Sequence, residues 1–195
     1  MDRPDVATKR KAFLRWMKRI DPRRLVFIDE SGANLAMGRS HAWVLPGEEY
    51  VEPRPMNWGD NLSLIGAVRL GGWVTLGTQW KAVNAKDFIA WVRDRLAPRL
   101  RAGDIVRLDN LRAHQAPAVA ALIARRGALL KFLPPYSHDF NPIEAVWALV
   151  KKYIRTFAPR SAATLRRVAR AARYAVDSYH CHQFFARAGY VISSA

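Results

Sequence analysis

A chain of 195 residues, half of them apolar, is long enough to bury a sizeable core and suits one domain. Its 32 Lys and Arg against 16 Asp and Glu leave a formal net charge of +16, which favours a polyanionic partner. No apolar run approaches the ~20 residues of a membrane-spanning helix, the basic N-terminus lacks a signal-peptide core, and the lone Cys181 excludes an internal disulfide; a soluble cytoplasmic protein is expected, with no membrane partner.

Residues 8–20 place Phe13, Trp16, Met17 and Ile20 on one helical face with Lys and Arg largely elsewhere, a basic amphipathic helix that Asp21-Pro22 ends. A strand is expected over about 24–29. The Pro-, Gly- and Glu-rich stretch from Trp43 to Trp58 reads as a loop or loose hairpin, followed by a strand over 62–68, a turn at Gly71-Gly72 and another strand from Trp73. Residues 86–100 carry Phe88, Ile89, Val92 and Leu96 at helical spacing and stop near Gly103. Then come a strand over 105–108 ending at Asp109, a helix over 118–125 capped by Gly127, a strand over 128–133 and a helix over 141–157. In the last segment, 161–187, Leu165, Val168, Ala172, Val176 and Tyr179 form an apolar stripe, with Arg166, Arg170 and Arg173 on the opposite side. Strands first, then alternating helix and strand, imply an α/β fold with a mixed sheet flanked by helices. The parts are a basic linker helix (1–23), a central domain (24–157) and an Arg-rich C-terminal helical extension (158–195).

Three acids stand where such elements end or begin. Asp29 closes Leu25-Val26-Phe27-Ile28, Asp109 closes Ile105-Val106-Arg107-Leu108, and Glu144 heads the late helix after Asn141-Pro142. Carboxylates gathered in this way suit divalent ions for phosphodiester chemistry, because hard oxygen ligands hold Mg²⁺ or Mn²⁺ and leave positions for phosphate and water. Each also has a structural alternative. Asp109-Asn110 can be a strand-ending turn, Glu144 can complete a capping box with Asn141 as N-cap, and Asp29-Glu30-Ser31-Gly32 can be a loop entrance. Glu30 is the nearest competitor to Asp29, but adjacent strand residues point to opposite faces.

The strings around the acids are Phe-Ile-Asp-Glu-Ser-Gly (27–32), Leu-Asp-Asn-Leu-Arg-Ala-His (108–114) and Leu-Pro-Pro-Tyr-Ser-His-Asp-Phe-Asn-Pro-Ile-Glu-Ala-Val-Trp (133–147), with 34 residues between Asp109 and Glu144. Over roughly residues 24–157 this resembles the DDE transposases of the Tc/mariner superfamily, in particular its bacterial insertion-sequence branch. His138 departs from the family's usual Pro after Tyr-Ser. The resemblance implies an RNase H-like fold in which the first and fourth strands lie side by side, and a pair of Mg²⁺ or Mn²⁺ ions held by Asp29, Asp109 and Glu144. It also implies cleavage at transposon ends, and strand transfer into target DNA, typically at a TA step, by a homodimer in the active complex of a nucleoid-associated bacterial protein. His114, Asn110 and Asn141 are supporting candidates, and Lys151 and Lys152, beyond Glu144 on its own helix, are candidates for DNA phosphates together with Arg166, Arg170 and Arg173. The alternatives are a nuclease or resolvase of the same fold that cuts without joining, and an inactive DNA-binding remnant. About 24 residues before the first strand are too few for a helix-turn-helix reader, so a separate reader subunit or upstream reading frame is expected. Of the tryptophans, Trp16, Trp91 and Trp147 sit at core positions of helices, whereas Trp43 and Trp58 are candidates for base stacking. His180-Cys181-His182 lacks the second pair that a zinc site needs.

Overall fold

In the computed structural model, residues 4–39, 41, 43–53 and 58–192 are described. Residues 54–57, within the expected loop before Trp58, lie outside them. Five strands form one mixed sheet in the order β3-β2-β1-β4-β5, with β1 Leu25–Ala33, β2 Leu62–Arg69, β3 Gly72–Gln79, β4 Ile105–Leu108 and β5 Leu129–Phe132. The first three strands are antiparallel, whereas β1, β4 and β5 run parallel. The helices are α1 Pro4–Met17, α2 Ala85–Trp91, α3 Pro117–Ala124, α4 Ile143–Phe157, α5 Ala162–Ala171 and α6 Ser178–Arg187.

Strand alternation sorts the apolar residues into two layers. Leu25 and Phe27 of β1 face a core roofed by α1, α4, α5 and α6, where Phe13, Met17, Ile143, Trp147 and Phe185 are buried. Val26 and Ile28 face the other core, built with Phe88, Trp91, Val119 and Ile123 of α2 and α3. No helix among the described residues is long and apolar enough to cross a membrane.

Several boundaries differ from those expected. The first strand does not stop at Asp29 but runs to Ala33, because Ala33 pairs with Leu62 of β2. Helix α1 begins at Pro4 and gives way to turns after Met17. Asn84 caps α2, which passes into a π-type turn over Val92–Leu96 and a 3₁₀ turn containing Pro98. The C-terminal segment is two helices rather than one. Its stripe breaks where Asp177 accepts a hydrogen bond from the His180 N–H and starts α6, and Tyr179 is exposed while Leu165, Val168, Ala172 and Val176 are buried.

One glycine sets the spacing between the sheet and the helix that carries Glu144. Gly66 pairs across the strands with Asp29, and the Trp147 ring of α4 lies where its side chain would be, so that a Cβ would stand 2.7 Å from that ring. Gly66→Ala is expected to push α4 outward and lower stability by about 1–3 kcal/mol, the range for overpacked cores, read as a fall in Tm together with a change in Trp fluorescence. Unchanged values of both would show that Trp147 gives way freely.

Candidate active site

Period-two alternation puts Asp29 on the face of β1 that carries Leu25 and Phe27, toward α4, and puts Asp109, one residue past β4, beside it on the neighbouring parallel strand. Glu144 occupies the first turn of α4. The Asp29 carboxyl is pushed up to about 7, first by burial and then by the negative charges of Glu144 and Asp109. The three acids are therefore electrostatic neighbours at the C-terminal end of the central strands. No three acidic, imidazole or thiol groups among the described residues already surround a common point. The Glu144 side chain is 44 % exposed and leans on His138, its Oε1 lying 3.2 Å from the imidazole Nδ1.

The chemistry of this donor set fits a divalent ion. Its ligands are hard oxygens, and like charges brought to within ~4 Å repel by ~4 kcal/mol at an effective dielectric of 20. Burial first, and that repulsion second, hold the Asp29 carboxyl protonated toward neutral pH, and a cation would relieve the repulsion.

Asp109 is held from behind. His114 is 1 % exposed, with its Nδ1 2.6 Å from Asp109 Oδ1 and its Nε2 3.2 Å from Glu30 Oε1. Burial pulls this imidazole down, but its two carboxylate partners outweigh burial and hold it up at about 9, so it is an imidazolium at neutral pH. Asp109, raised by desolvation and lowered further by His114 and the Leu111 N–H, lies below its ordinary value. The His114 ring also packs on Phe88, 4.3 Å between centroids. Glu30 does point to the face opposite Asp29, as alternation requires, yet it serves the same site by fixing the histidine behind Asp109. This link was not visible in the sequence, since Glu30 and His114 lie 84 positions apart.

The other expected residues divide clearly. Asn110 Nδ2 donates to the Leu133 carbonyl at 2.8 Å, tying the ends of β4 and β5 together. Asn141 is buried and gives Glu144 a backbone acceptor, but no capping box forms: Pro142 occupies the cap position without a side-chain bond, and Glu144 turns to His138. Lys152 lines the groove that holds Glu144 and His138, whereas Lys151 does not line it. Arg166 lies half-buried over Trp80, 5.6 Å from its centroid, and Arg173 stacks on its neighbour Tyr174 at 4.5 Å. Arg170 is exposed. Trp91 and Trp147 are buried, Trp16 packs against the core, and Trp43 and Trp58 are exposed. His180 and His182 diverge around the buried Cys181, one to the groove beside Glu144 and the other to the far pole of the sheet.

The loop before α4 has an anchor that the sequence did not disclose. Arg10 of α1 donates to both carboxylate oxygens of Asp139, at 2.9 and 2.6 Å, and also to the Tyr136 carbonyl and Ser137 Oγ. Its guanidinium lies over Phe140, 4.4 Å from the ring centroid. Tyr136 takes a left-handed conformation (φ 55°) inside this clamp. With the loop so held, His138 starts a short 3₁₀ turn.

Residues 24–166 match the DDE superfamily endonuclease family. The chain belongs to that family. Its fold is also that of solved transposase structures. It superposes with a TM-score of 0.75 on the Mos1 transposase paired-end complex with left transposon end, at 19 % identity, covering 93 % of this chain and 57 % of that one. For the catalytic domain of Mos1 mariner transposase the TM-score is 0.63 at 17 % identity, over 94 % and 86 % of the two chains. A further match, at 0.65 and 19 % identity over 94 % and 59 %, is the mariner Mos1 paired end complex with Mg. The chain thus spans a little over half of the first of these relatives. No curated protein gives a significant sequence match.

Since His138 holds Glu144 by an exposed contact, worth at most about 1 kcal/mol, His138→Ala or His138→Pro is expected to leave Tm unchanged and to tighten Mn²⁺ binding by no more than about fivefold, measured by titration calorimetry. Weaker Mn²⁺ binding in both variants would show instead that the imidazole assists the site.

Proposed function

We propose that this chain is the catalytic domain of a Tc/mariner-type DNA transposase of the bacterial insertion-sequence branch. It would cut phosphodiester bonds at transposon ends and join the freed 3′-hydroxyl to target DNA. The observation that carries the reading is the gathering of Asp29, Asp109 and Glu144 at the end of the two central parallel strands, where burial and the charges of the other two acids together push Asp29 to about 7. The names of the Mos1 structures, which include paired-end and strand-transfer complexes and one with Mg, support it.

Asp29, Asp109 and Glu144 would hold a pair of Mg²⁺ or Mn²⁺ ions, which when bound supply a water or hydroxyl nucleophile at neutral pH and charge stabilisation at the phosphate. Asp109 is pre-set for this, because His114 and the Leu111 N–H fix one of its oxygens, Oδ1. Trp147 of α4 packs on Gly66, the cross-strand partner of Asp29, and so lies beside that carboxyl. Lys152, in the Glu144 groove, would take a DNA phosphate, and the +16 chain would draw the duplex in. The active complex is read as a homodimer, with helix-turn-helix modules reading the ends.

The test is strand transfer from a pre-nicked transposon end, with and without Mn²⁺, for the wild type, Asp109→Asn and Glu144→Gln. Joining that requires Mn²⁺ and falls at least a thousandfold in each folded variant is the expected result. Cutting without joining would favour a nuclease of the same fold. DNA binding with neither activity would point to an inactive remnant, and wild-type joining by either variant would remove that acid from the site.

A further inference from the structure

At the pole of the sheet opposite the carboxylates, where β1 and β4 begin and β2 turns into β3, the surface opens into a cleft of roughly 970 Å³. Lys18, Arg19, Arg69, Arg99 and Arg101 line it. Asp21 is the acid in the lining, and it is already engaged by Arg23, Nε to Oδ1 at 3.1 Å. Lys18, Arg19 and Arg101 are exposed around the rim, and no ion-pair partner is found for them among the described residues.

The floor of the cleft is a guanidinium that is only half satisfied. Arg69 is 12 % exposed; its Nη2 donates to Asp104 Oδ2 at 3.0 Å and to the Arg99 carbonyl at 3.2 Å. Asp104 is itself fixed by the Arg101 N–H at 2.8 Å, so Arg69 cannot turn away without breaking a buried pair. Its other terminal nitrogen, Nη1, is buried and has no partner. A planar fork with one nitrogen anchored and the other unpartnered suits an oxyanion, and the unpaired cations of the rim favour the phosphates of a polyanion.

We propose that this cleft is a second nucleic-acid site, which takes the phosphate backbone of a duplex DNA at the pole away from the acids. The inference rests on the reading of the chain as a DNA-processing enzyme. A duplex fits better than a free nucleotide because the cations come from separate segments around an open rim, and because the cleft's aromatic residue, Trp73, is turned to Trp147, 5.7 Å between centroids, rather than offered to a base. One molecule would then hold two duplexes, one at each pole.

The variant Arg19→Glu/Arg101→Glu changes two exposed side chains, and Arg19→Gln/Arg101→Gln is a milder companion; Tm is followed for both. Duplex affinity is measured by fluorescence anisotropy across a salt series. Capture of a fluorescent duplex by a second, immobilised duplex reports bridging. The log–log salt slope is expected to flatten by about 1.8 in the Glu variant, from ~0.9 per phosphate contact, and bridging to fall at least tenfold. Mn²⁺-dependent nicking at saturating DNA is expected to be unchanged. A wild-type slope and wild-type bridging in both folded variants would overturn the proposal. So would loss of inorganic triphosphate binding with duplex binding intact, which would mark a site for small anions. If the slope flattens while Glu144→Gln nicks as well as wild type, the catalytic reading fails and the cleft stands. If wild-type protein binds no duplex at all, both fail.

Discussion

Asp29→Asn is expected to abolish metal-dependent cleavage, by a thousandfold or more, and at the same time to make the metal-free protein more stable at pH 8. The amide keeps the shape of the carboxyl but loses the charge that holds Mg²⁺ or Mn²⁺. The stability gain follows from linkage. The folded-state carboxyl lies at about 7 against an ordinary 3.8, because burial and the charges of Glu144 and Asp109 oppose ionisation. Folding is therefore favoured by this group below pH ~4 and loses that contribution as pH rises through about 7. At 1.36 kcal/mol per unit, discounted for partial exposure, the loss is on the order of 2–4 kcal/mol. Thermal melts of both proteins from pH 4 to 8 without metal should diverge upward through this window, with the variant the more stable. Adding Mn²⁺ at pH 8 should raise the Tm of the wild type and leave the variant unmoved. Parallel melting curves would mean that Asp29 ionises normally and that the acids are not coupled.

The second large effect is expected at His114. Its imidazolium stands between Asp109 and Glu30, and His114→Ala leaves two carboxylates facing a cavity. Breaking a buried pair costs about 3–5 kcal/mol; with Asp109 and Glu30 themselves 36 % and 25 % exposed, about 2–3 kcal/mol is expected, measured by urea denaturation at pH 6. Because the folded imidazole is held up at about 9, its contribution is full below the unfolded value of 6.5 and disappears as pH rises through 9. The gap between wild type and variant should thus shrink at high pH. His114→Gln, which keeps a donor but no charge, should recover part of the stability and little of the pH dependence. A gap that stays constant from pH 6 to 10 would make His114 a packing residue only.

Much of the site could be read in the sequence because its determinants are local. Strand alternation placed Asp29 and Glu30 on opposite faces, and Pro142 with the following apolar spacing put Glu144 in the first turn of a helix. What escaped was pairing across long separations. Glu30 reaches His114, and Arg10 reaches Asp139 129 positions later; no local rule for helices, strands or turns connects such residues. The same reason explains the length of β1, since only its partner β2 carries it past Asp29 to Ala33. The break between α5 and α6 was accessible in principle, because Asp177 is an ordinary helix N-cap, but the apolar stripe concealed it. The capping box that Asn141 offered as an alternative role for Glu144 gave way to His138, a residue whose contact with Glu144 depends on the fold of the preceding loop.

The packing of α1 changes where this protein should be cut. The family match starts at residue 24, yet Val6, Phe13 and Met17 are buried, and Arg107 of β4 sits under Phe13 and Trp16, its guanidinium 4.5 and 4.3 Å from their centroids. Burial pulls Arg107 down to about 10. A fragment trimmed to residue 24 would uncover this arginine and an apolar face together, and would release Asp139 from Arg10. The folding unit therefore reaches about twenty residues upstream of the homology boundary, and a protease that removes the first helix would be expected to yield a sticky, poorly folded product rather than a minimal enzyme.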